Sequence, residues 1–285
     1  MKTATARKRT QSRALPWFGA DTQVAEQYAA LLADCKHVTI PFCGGLSVVA
    51  HLVETASEIV CNDRHTLAIN FYNVIRDPAT RAVLVNDLEA TPFHESMLAE
   101  SQQVCKTIGE RGWIDMTPRE VAFHYFITCW MGRSGKAGTK SEFNGGLAMR
   151  WDAGGGSSPL RFQTAVRSIQ EVWGPICERC SFVCSDWREV LAKIKDDPKC
   201  GVYADPPWFV DGKDYQHSFS ENDHEELAES LFRFRRAKVV LRYGNHPSVW
   251  DLYGGNRGGV CFRIEEVESR NQSNNEVAEL CITNF

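Results

Sequence analysis

The segment 201–208, Gly-Val-Tyr-Ala-Asp-Pro-Pro-Trp, carries the residue types in this chain that are best suited to chemistry. Its short apolar run ends at Asp205, and Pro206 with Pro207 then prevents both strand pairing and a helix. We therefore expect Asp205 at the carboxyl end of a buried strand, where open α/β sheets build ligand sites. A carboxylate acceptor, the fixed carbonyl of Pro206 and the face of Trp208 together suit a planar ring that bears an exocyclic amine. A plain strand-ending turn with a core tryptophan is the alternative.

A second candidate segment is the glycine turn at 41–45, Pro-Phe-Cys-Gly-Gly, which follows a β-branched strand predicted at 37–40. A strand, a glycine turn and a helix bring the backbone close to nucleotide-like ligands, although many such turns need glycine for packing alone. The next predicted strand, 58–62, ends at Asp63, in the place where an acid commonly binds ribose hydroxyls. An N-cap for the helix predicted at 66–75 is the other interpretation of this acid. Together the two features indicate a cofactor that contains adenosine.

A glycine-rich stretch, 132–158, follows two predicted helices and mixes cations with aromatic residues. Such loops suit a phosphate backbone and unstacked bases, whereas a solvated long loop is the alternative interpretation. Two polar loops further along the chain, one after the Asp205 segment and one after a strand predicted at 238–243, hold a tyrosine and an asparagine that could also reach a nucleic acid. The candidate nucleic-acid contacts are Arg133, Lys136, Lys140, Arg150, Tyr215 and Asn245.

The composition of the 285 residues bounds the class of protein. A net charge of −4 excludes a uniformly basic surface, so a polyanion must be met by a local patch. No apolar run approaches the roughly 18 residues of a membrane span, and we expect a protein that does not enter a membrane. The eleven cysteines are an odd number scattered along the chain, which favours a reducing cytosol over a disulfide framework.

Two further features give narrower expectations. Residues 1–14 form a basic segment without an apolar core, which predicts a disordered tail rather than a secretory signal, with phosphate contact as the less favoured interpretation. Cys177, Cys180 and Cys184 are spaced somewhat like metal ligands, but neither a histidine nor a fourth cysteine stands at normal zinc spacing. We therefore expect no metal.

Together these segments resemble the Dam-like, D12-class adenine-N6 DNA methyltransferases, and the resemblance covers most of the chain after the basic tail. Segment 205–208 matches the catalytic Asp-Pro-Pro-aromatic motif of that family, and 41–45 matches its glycine motif for S-adenosylmethionine. The glycine turn comes first, then the recognition region, then the catalytic motif, which resembles the alpha arrangement. The residues that the resemblance assigns to the cofactor are Trp17, Phe18, Gly19, Pro41, Phe42, Cys43, Gly44, Gly45, Asp63, Ser185 and Asp186.

The resemblance implies an α/β fold, a Rossmann-like sheet of the kind found in S-adenosylmethionine-dependent methyltransferases, with helices on both faces. It implies a catalytic domain at 15–88 and 165–285. A smaller, mainly helical and loop insertion at 89–164 would then recognise the target.

The activity that the resemblance implies is site-specific transfer of a methyl group from S-adenosylmethionine to N6 of an adenine flipped out of double-stranded DNA. Asp205 and the Pro206 carbonyl would accept hydrogen bonds from the amine, within the rigid turn completed by Pro207, and Trp208 would stack on the base. We expect the protein in the cytoplasm, encoded by a bacterium or a phage. Its recognition sequence, its oligomeric state and the existence of a restriction partner stay open.

Three alternatives accompany this hypothesis. The same chemistry could act on RNA adenine or on cytosine N4, although related cytosine enzymes tend to carry serine where this chain has Asp205. A catalytically silent module that binds DNA is a second alternative, and the intact glycine turn argues against it. A nicotinamide-dependent oxidoreductase is disfavoured because no G-x-G-x-x-G follows the first predicted strand.

Overall fold

The computed structural model describes residues 13–19, 24–113, 115–133, 136–149, 157–210, 212–270 and 276–285. Nine strands are assigned within these ranges, seven of them in one sheet. They are β1 (His37–Ile40), β2 (Glu58–Asn62), β3 (Cys180–Val183), β4 (Cys200–Ala204), β5 (Lys238–Gly244), β6 (Asn256–Arg257), β7 (Val260–Cys261), β8 (Arg263–Arg270) and β9 (Glu276–Thr283).

The large sheet has the order β3-β2-β1-β4-β5-β9-β8, and β6 pairs with β7 in a separate hairpin. Strands β1 to β5 run parallel, whereas β9 lies antiparallel between β5 and β8. The chain moves outward from β1 to β2 and β3, then returns to the other side of β1 for β4 and β5. This reversal makes the gap between β1 and β4 the switch point at which such sheets bind ligands. The predicted α/β fold with a Rossmann-like sheet is confirmed.

Helices cover both faces of the sheet. They are α1 (Ala25–Ala30), α2 (Val49–Leu52), α3 (Thr66–Arg76), α4 (Pro78–Glu89), α5 (Glu95–Arg111), α6 (Pro118–Met131), α7 (Ser158–Ser168), α8 (Gly174–Glu178), α9 (Trp187–Ala192), α10 (Glu221–Phe232) and α11 (Pro247–Tyr253). A π-helical turn, Ile169–Trp173, joins α7 to α8. In the part of the chain that the structure describes, none of these helices has the length and apolar character that crossing a bilayer requires.

The apolar core has two parts because β4 and β5 are buried on both faces. In β4, Val202 and Ala204 point to the core formed with α9, α10 and α11, whereas Tyr203 points to the opposite core. That opposite core is continuous from α1 to α7, and α6 packs on both α3 and α5. The helices of the predicted recognition insertion therefore share the core of the catalytic sheet. Their role in recognition stays a prediction.

The start of the described chain is packed against the glycine turn. Residues 1–12 of the predicted basic tail lie outside the described residues. Ala14 is buried, and its backbone N–H donates to the carbonyl of Gly45 at 3.1 Å. The indole of Trp130 in α6 donates to the carbonyl of Ala14 at 3.3 Å. These contacts fix the direction in which the chain enters the cofactor motif at Trp17.

Candidate active site

A cavity of about 1060 Å³, its open mouth included, lies at the carboxyl ends of β1, β2 and β4. The sheet thus brings together segments that are up to about two hundred residues apart in the chain. Among the predicted site residues, those that border the cavity are Trp17, Phe18, Gly19, Pro41, Phe42, Cys43, Gly44, Gly45, Asp63, Asp205, Pro207 and Tyr215. Pro206, Trp208, Ser185 and Asp186 lie outside that lining.

Asp63 is held in the cavity wall by backbone amides. Its Oδ2 accepts from the N–H of Gly44 and its Oδ1 from the N–H of His65, each at 3.0 Å. Gly44 has φ +43°, in the left-handed region that favours glycine, and this conformation turns its N–H toward the carboxylate. The N-cap of α3 is His65, whose Nδ1 accepts from Ala68. A carboxylate has about four acceptor sites, so Asp63 retains capacity for two hydroxyl groups of a ligand.

The ends of β1, β2 and β3 are tied together by Asn62, which is fully buried. Its Nδ2 donates to the carbonyl of Pro41 at 2.9 Å and to that of Ser185 at 3.1 Å. Its Oδ1 accepts from the N–H of Ser185 at 3.0 Å. Sequence reasoning missed this residue, and the signal that could have found it is an amide side chain at the end of an apolar strand. Asn62 sets the relative positions of the cofactor motif residues on either side of it.

Trp17 lies between two glycines and is buried. A Cβ added to Gly44 would lie 3.0 Å from the indole, and one added to Gly138 would lie 2.5 Å from it. Phe18 donates its N–H to the carbonyl of Ala137 at 3.1 Å, so the amino-terminal motif pairs with the glycine-rich loop of the insertion. Gly138, which the sequence analysis did not single out, has φ +82° and borders the cavity.

The same loop is fixed from its other side by a buried pair. His65 Nε2 lies 2.8 Å from Glu142 Oε1, and both side chains are at most 3% exposed. The second oxygen of Glu142 accepts from the N–H of Gly138 at 2.7 Å. Burial lowers the pKa of His65, but the Glu142 carboxylate outweighs that effect and the pKa is raised above its ordinary value. The predicted recognition loop therefore forms part of the cavity wall.

Part of the cavity wall is aromatic. Phe42, Trp187 and Phe219 have ring centroids 5.8 to 6.2 Å apart. Trp187 and Phe219 were not among the predicted site residues. Asp186 precedes this cluster and caps α9 by accepting from the N–H of Arg188 at 2.9 Å, with Arg64 3.6 Å from its other oxygen. The capping alternative therefore describes its geometry, and contact with a cofactor amine stays a prediction.

Asp205 also borders the cavity, and its carboxylate is held by side chains. Oδ2 accepts from Arg242 Nη1 at 2.7 Å, and Oδ1 accepts from the indole N–H of Trp208 at 3.3 Å. The Asp205 side chain is 25% exposed, which leaves it open to the cavity. Burial raises the pKa of Asp205 above its usual value, and the Arg242 guanidinium opposes that rise.

Trp208 packs between the cation and the backbone of β5. The Arg242 guanidinium lies 5.1 Å from its ring centroid. A Cβ added to Gly244 would lie 2.6 Å from its ring, so the indole requires glycine at that position. Trp208 is half-buried, and its stacking on a base stays a prediction.

The predicted nucleic-acid contacts fall into separate places. Arg133 and Lys140 are exposed and Lys136 is half-buried. Tyr215 lies in the cavity wall, where its hydroxyl donates to the carbonyl of Phe18 at 3.2 Å. Asn245 has partners inside the protein: it donates to Glu266 at 3.2 Å and accepts from Trp250 at 3.0 Å. Arg150 lies outside the described residues, and contact of any of these residues with nucleic acid stays a prediction.

Within the described ranges, no group of three or more histidine, cysteine, aspartate or glutamate residues could hold a metal ion. Cys177 and Cys180 are buried as free thiols, and Cys184 is exposed.

Comparison with known proteins gives one sequence match and a set of structural resemblances. A profile described as D12 class N6 adenine-specific DNA methyltransferase matches residues 17–272. No curated protein sequence matches the chain significantly. The match to the profile spans every segment on which the resemblance in the sequence rests, from Trp17 to the motif at 205–208.

Solved structures resemble this chain at 8 to 10% identity. The 23S rRNA methyltransferase ErmE aligns over 94% of this chain and 69% of its own, with TM-score 0.38 and 9% identity. Precorrin 8W decarboxylase of Methanobacterium thermoautotrophicum aligns over 93% and 91%, with TM-score 0.36 and 8% identity. A Pyrococcus horikoshii protein described as an RNA methyltransferase aligns over 97% and 90%, with TM-score 0.38 and 10% identity. We draw nothing about substrate from alignments with TM-scores this low.

Proposed function

Because this chain belongs to the D12 class of N6 adenine-specific DNA methyltransferases, we propose that it transfers a methyl group from S-adenosylmethionine to N6 of an adenine in double-stranded DNA. The observation that carries the proposal is the position of Asp205. This acceptor carboxylate shares one cavity with the glycine turn and Asp63, as a reaction between a nucleoside cofactor and a planar amine requires.

The cavity residues fit the proposed cofactor. Asp63 would bind the ribose hydroxyls with the lone pairs that the two backbone amides leave free. Phe42, Trp187 and Phe219 offer an apolar wall for the purine, and Trp17 closes the side next to the glycine turn. When bound there, S-adenosylmethionine would supply the methyl group on a sulfonium centre.

The target amine needs acceptors because its lone pair is delocalised into the base. Hydrogen bonds from the amine to Asp205 and to the carbonyl of Pro206 would favour a pyramidal nitrogen and stabilise the positive charge that develops on it. Fixed acceptors in a partly dehydrated wall need little reorganisation during the reaction, so positioning and electrostatics would supply most of the rate.

We further propose that the adenine leaves the duplex before it reacts. Asp205 is only a quarter exposed and borders a cavity, where an amine that is stacked and paired inside a helix would not reach it. The exposed cations Arg133 and Lys140, which flank the part of the insertion loop that packs on Trp17, would meet the phosphate backbone.

The test is methyl transfer from labelled S-adenosylmethionine by purified protein to duplex DNA of varied sequence, beside RNA of the same sequences. Long-read sequencing of DNA from cells that express the protein would identify the base and the site. Asp205→Ala should abolish the signal. Asp251→Ala, an exposed aspartate in α11, is the control and should retain it.

Labelled N6-methyladenine at one short DNA motif, dependent on Asp205, is the expected result. Transfer to RNA alone would show that RNA, and not DNA, is the substrate. Transfer that survives in Asp205→Ala would contradict the proposed role of Asp205. Binding of cofactor and DNA without any transfer would leave the silent DNA-binding module.

A further inference from the structure

A charged residue stands in the middle of an otherwise apolar strand beside the proposed acceptor. Arg242 is 3% exposed, and its neighbours in β5, Leu241 and Tyr243, are fully buried. A buried guanidinium is costly unless it is paired and hydrogen-bonded on most of its donors. The Arg242 side chain meets this requirement with acceptors from three other parts of the chain.

The first acceptor is Glu279 on β9, the antiparallel neighbour of β5. Gly244 pairs with Glu279 and Arg242 pairs with Cys281, so Arg242 and Glu279 are diagonal neighbours on one face of the sheet. Two parallel hydrogen bonds join them, Nε to Oε2 at 2.8 Å and Nη2 to Oε1 at 2.7 Å. Both side chains are 4% exposed. This two-pronged geometry fixes the plane of the guanidinium, which a single contact would not do.

The remaining nitrogen faces the active site. Nη1 donates to Asp205 Oδ2 at 2.7 Å and to the carbonyl of Gly19 at 3.1 Å. One nitrogen therefore links the catalytic motif to the amino-terminal cofactor motif. Because Arg242 and Trp208 each occupy one site on the carboxylate, further lone pairs of Asp205 remain for a target amine.

We propose that Arg242, oriented by Glu279, is a positioning residue that holds Asp205 as an ionised acceptor. Through its second hydrogen bond, to the carbonyl of Gly19, it also fixes the Asp205 carboxylate relative to the amino-terminal motif. The inference rests on the proposed methyl transfer and adds residues to it that no motif assigns. Arg242 need not touch the base; it acts through Asp205. Glu279 acts through Arg242.

The ionised state matters because a protonated carboxyl would present a donor to an amine that needs an acceptor. The charged groups that face Asp205 are Arg242 from β5 and Glu279 from β9. Tyr28 from α1, with Tyr203 and Tyr243 on the sheet, also lie near it, and burial raises the pKa of each hydroxyl so that they stay neutral. Burial raises the pKa of Asp205, Arg242 lowers it and Glu279 raises it. Arg242 should therefore shift the acid limb of the pH–rate profile to lower pH, and Glu279 should shift it to higher pH.

The test is the pH dependence of kcat/KM for DNA in four proteins: wild type, Arg242→Gln, Glu279→Gln and the double variant Arg242→Gln/Glu279→Gln. The midpoint of the acid limb reports an essential base of the free enzyme. Arg242→Gln removes the cation and keeps the anion, so its midpoint should be the highest, followed by the double variant and then wild type. Glu279→Gln should have the lowest midpoint. At a pH below both midpoints, a variant whose midpoint lies one pH unit higher should have a kcat/KM about tenfold lower.

Arg242→Gln should therefore lose activity at a pH where wild type is on its plateau, and recover part of it as the pH is raised further. The double variant replaces a buried ion pair with two neutral amides, which avoids leaving one charge uncompensated in the core. Arg242→Lys keeps the charge without the two-pronged pairing, so it should retain the wild-type midpoint with a lower plateau. Midpoints that coincide in all four proteins would show that Arg242 is structural, and so would an Arg242→Gln midpoint equal to that of wild type.

Failure of the proposed function is separable from failure of this inference. Wild-type protein that transfers no methyl group to any nucleic acid at any pH overturns the function. The inference is then read without turnover, from the carboxyl infrared band that titrates in wild type and disappears in Asp205→Asn. The same order of midpoints is expected in that signal, and an unchanged midpoint in Arg242→Gln would overturn it.

Discussion

Two aspartates stand at the ends of parallel strands on either side of β1, and the protein holds them by different means. Asp63 follows β2, and both of its oxygens accept from backbone amides. Asp205 follows β4, and both of its oxygens accept from side chains, one of them a buried guanidinium. They border the same cavity. Neutral dipoles therefore hold one carboxylate, and a formal charge holds the other.

The difference matches the work proposed for each residue. A ribose hydroxyl both donates and accepts, so an acid that binds it needs a fixed place and spare lone pairs, which peptide groups provide. An acceptor for an amine must in addition stay unprotonated in a partly buried wall. A nearby cation opposes the protonation that burial favours. The part of the site around Asp63, called here the Asp63 end, should accordingly be sensitive to changes in backbone conformation. The part around Asp205, the Asp205 end, should be sensitive to changes in the charge of neighbouring side chains.

The largest effects should come from changing the two acids in parallel to their amides. Asp205→Asn should lower the transfer rate at saturating cofactor by about a thousandfold, because removing one group that stabilises charge in a transition state can lower kcat by this factor. The dissociation constant for S-adenosylmethionine should stay within about threefold of wild type. Asp63→Asn should instead reduce the affinity for S-adenosylmethionine roughly ten- to a hundredfold and leave the transfer rate at saturation near wild type. The affinity falls because the asparagine amide turns a donor toward one backbone N–H.

Calorimetric titration of the cofactor and turnover at saturation measure the two quantities separately. Glu89→Gln, an exposed acid at the end of α4, serves as the control for both. The comparison breaks if Asp63→Asn and Asp205→Asn lose the same quantity by the same factor.

A change in backbone conformation should affect the Asp63 end alone. Gly44→Ala forces a side chain into a left-handed conformation at φ +43° and places its Cβ 3.0 Å from the indole of Trp17. The strain should cost about 1–2 kcal/mol. Cofactor affinity should fall roughly tenfold because the N–H that holds Asp63 must move. The acid limb of the rate profile should keep its wild-type midpoint.

Gly146→Ala is the matched control, since a Cβ there meets nothing within 4 Å. It should leave both stability and affinity near wild type. Chemical denaturation gives the free energy of unfolding for each variant. A shifted rate profile in Gly44→Ala would mean that the two ends are not independent.

The sequence predicted the local half of this site better than the distant half. The strand, glycine turn and acid around Asp63 could be predicted because the partners of that carboxylate lie in the adjacent turn and two residues onward. A strand was also predicted at 238–243, where the structure has Lys238–Gly244, but its arginine was given no role. Nothing in the sequence states that β9 lies antiparallel beside β5 with Glu279 opposite Gly244.

The insertion loop shows the same limit. Gly138 was one of many glycines in the stretch 132–158 and was given no role of its own, whereas the structure packs it against Trp17. That contact depends on the pairing of Phe18 with Ala137, between segments over one hundred residues apart. Helix α4 was missed for a different reason: Asp77 caps it and Pro78 is its first residue, a start signal that the sequence analysis did not use.

The smallest effect concerns the segment that follows Asp205, which also depends on an ionisable group. Phe209 stacks on His224 with centroids 3.7 Å apart, and His224 Nδ1 lies 2.5 Å from the hydroxyl of Tyr243. Burial lowers the pKa of His224 from 6.5 to about 4. As the pH falls below 6.5 the unfolded chain takes up this proton before the folded one, so the free energy of unfolding decreases between pH 6.5 and about 4.

His224→Gln keeps a hydrogen-bonding side chain that does not titrate. Between pH 7 and pH 4.5 it should lose about 2 kcal/mol less stability than wild type, as the linkage for one buried imidazole gives. Urea denaturation at each pH measures the difference, and His37→Gln, an exposed histidine, tests whether it is specific to the buried ring. Equal losses of unfolding free energy in wild type and His224→Gln would show that the segment after Asp205 is not stabilised by a neutral His224. The ion pair of Arg242 with Asp205 would then be the remaining source of acid sensitivity in this region, and the pH–rate profiles measure it independently.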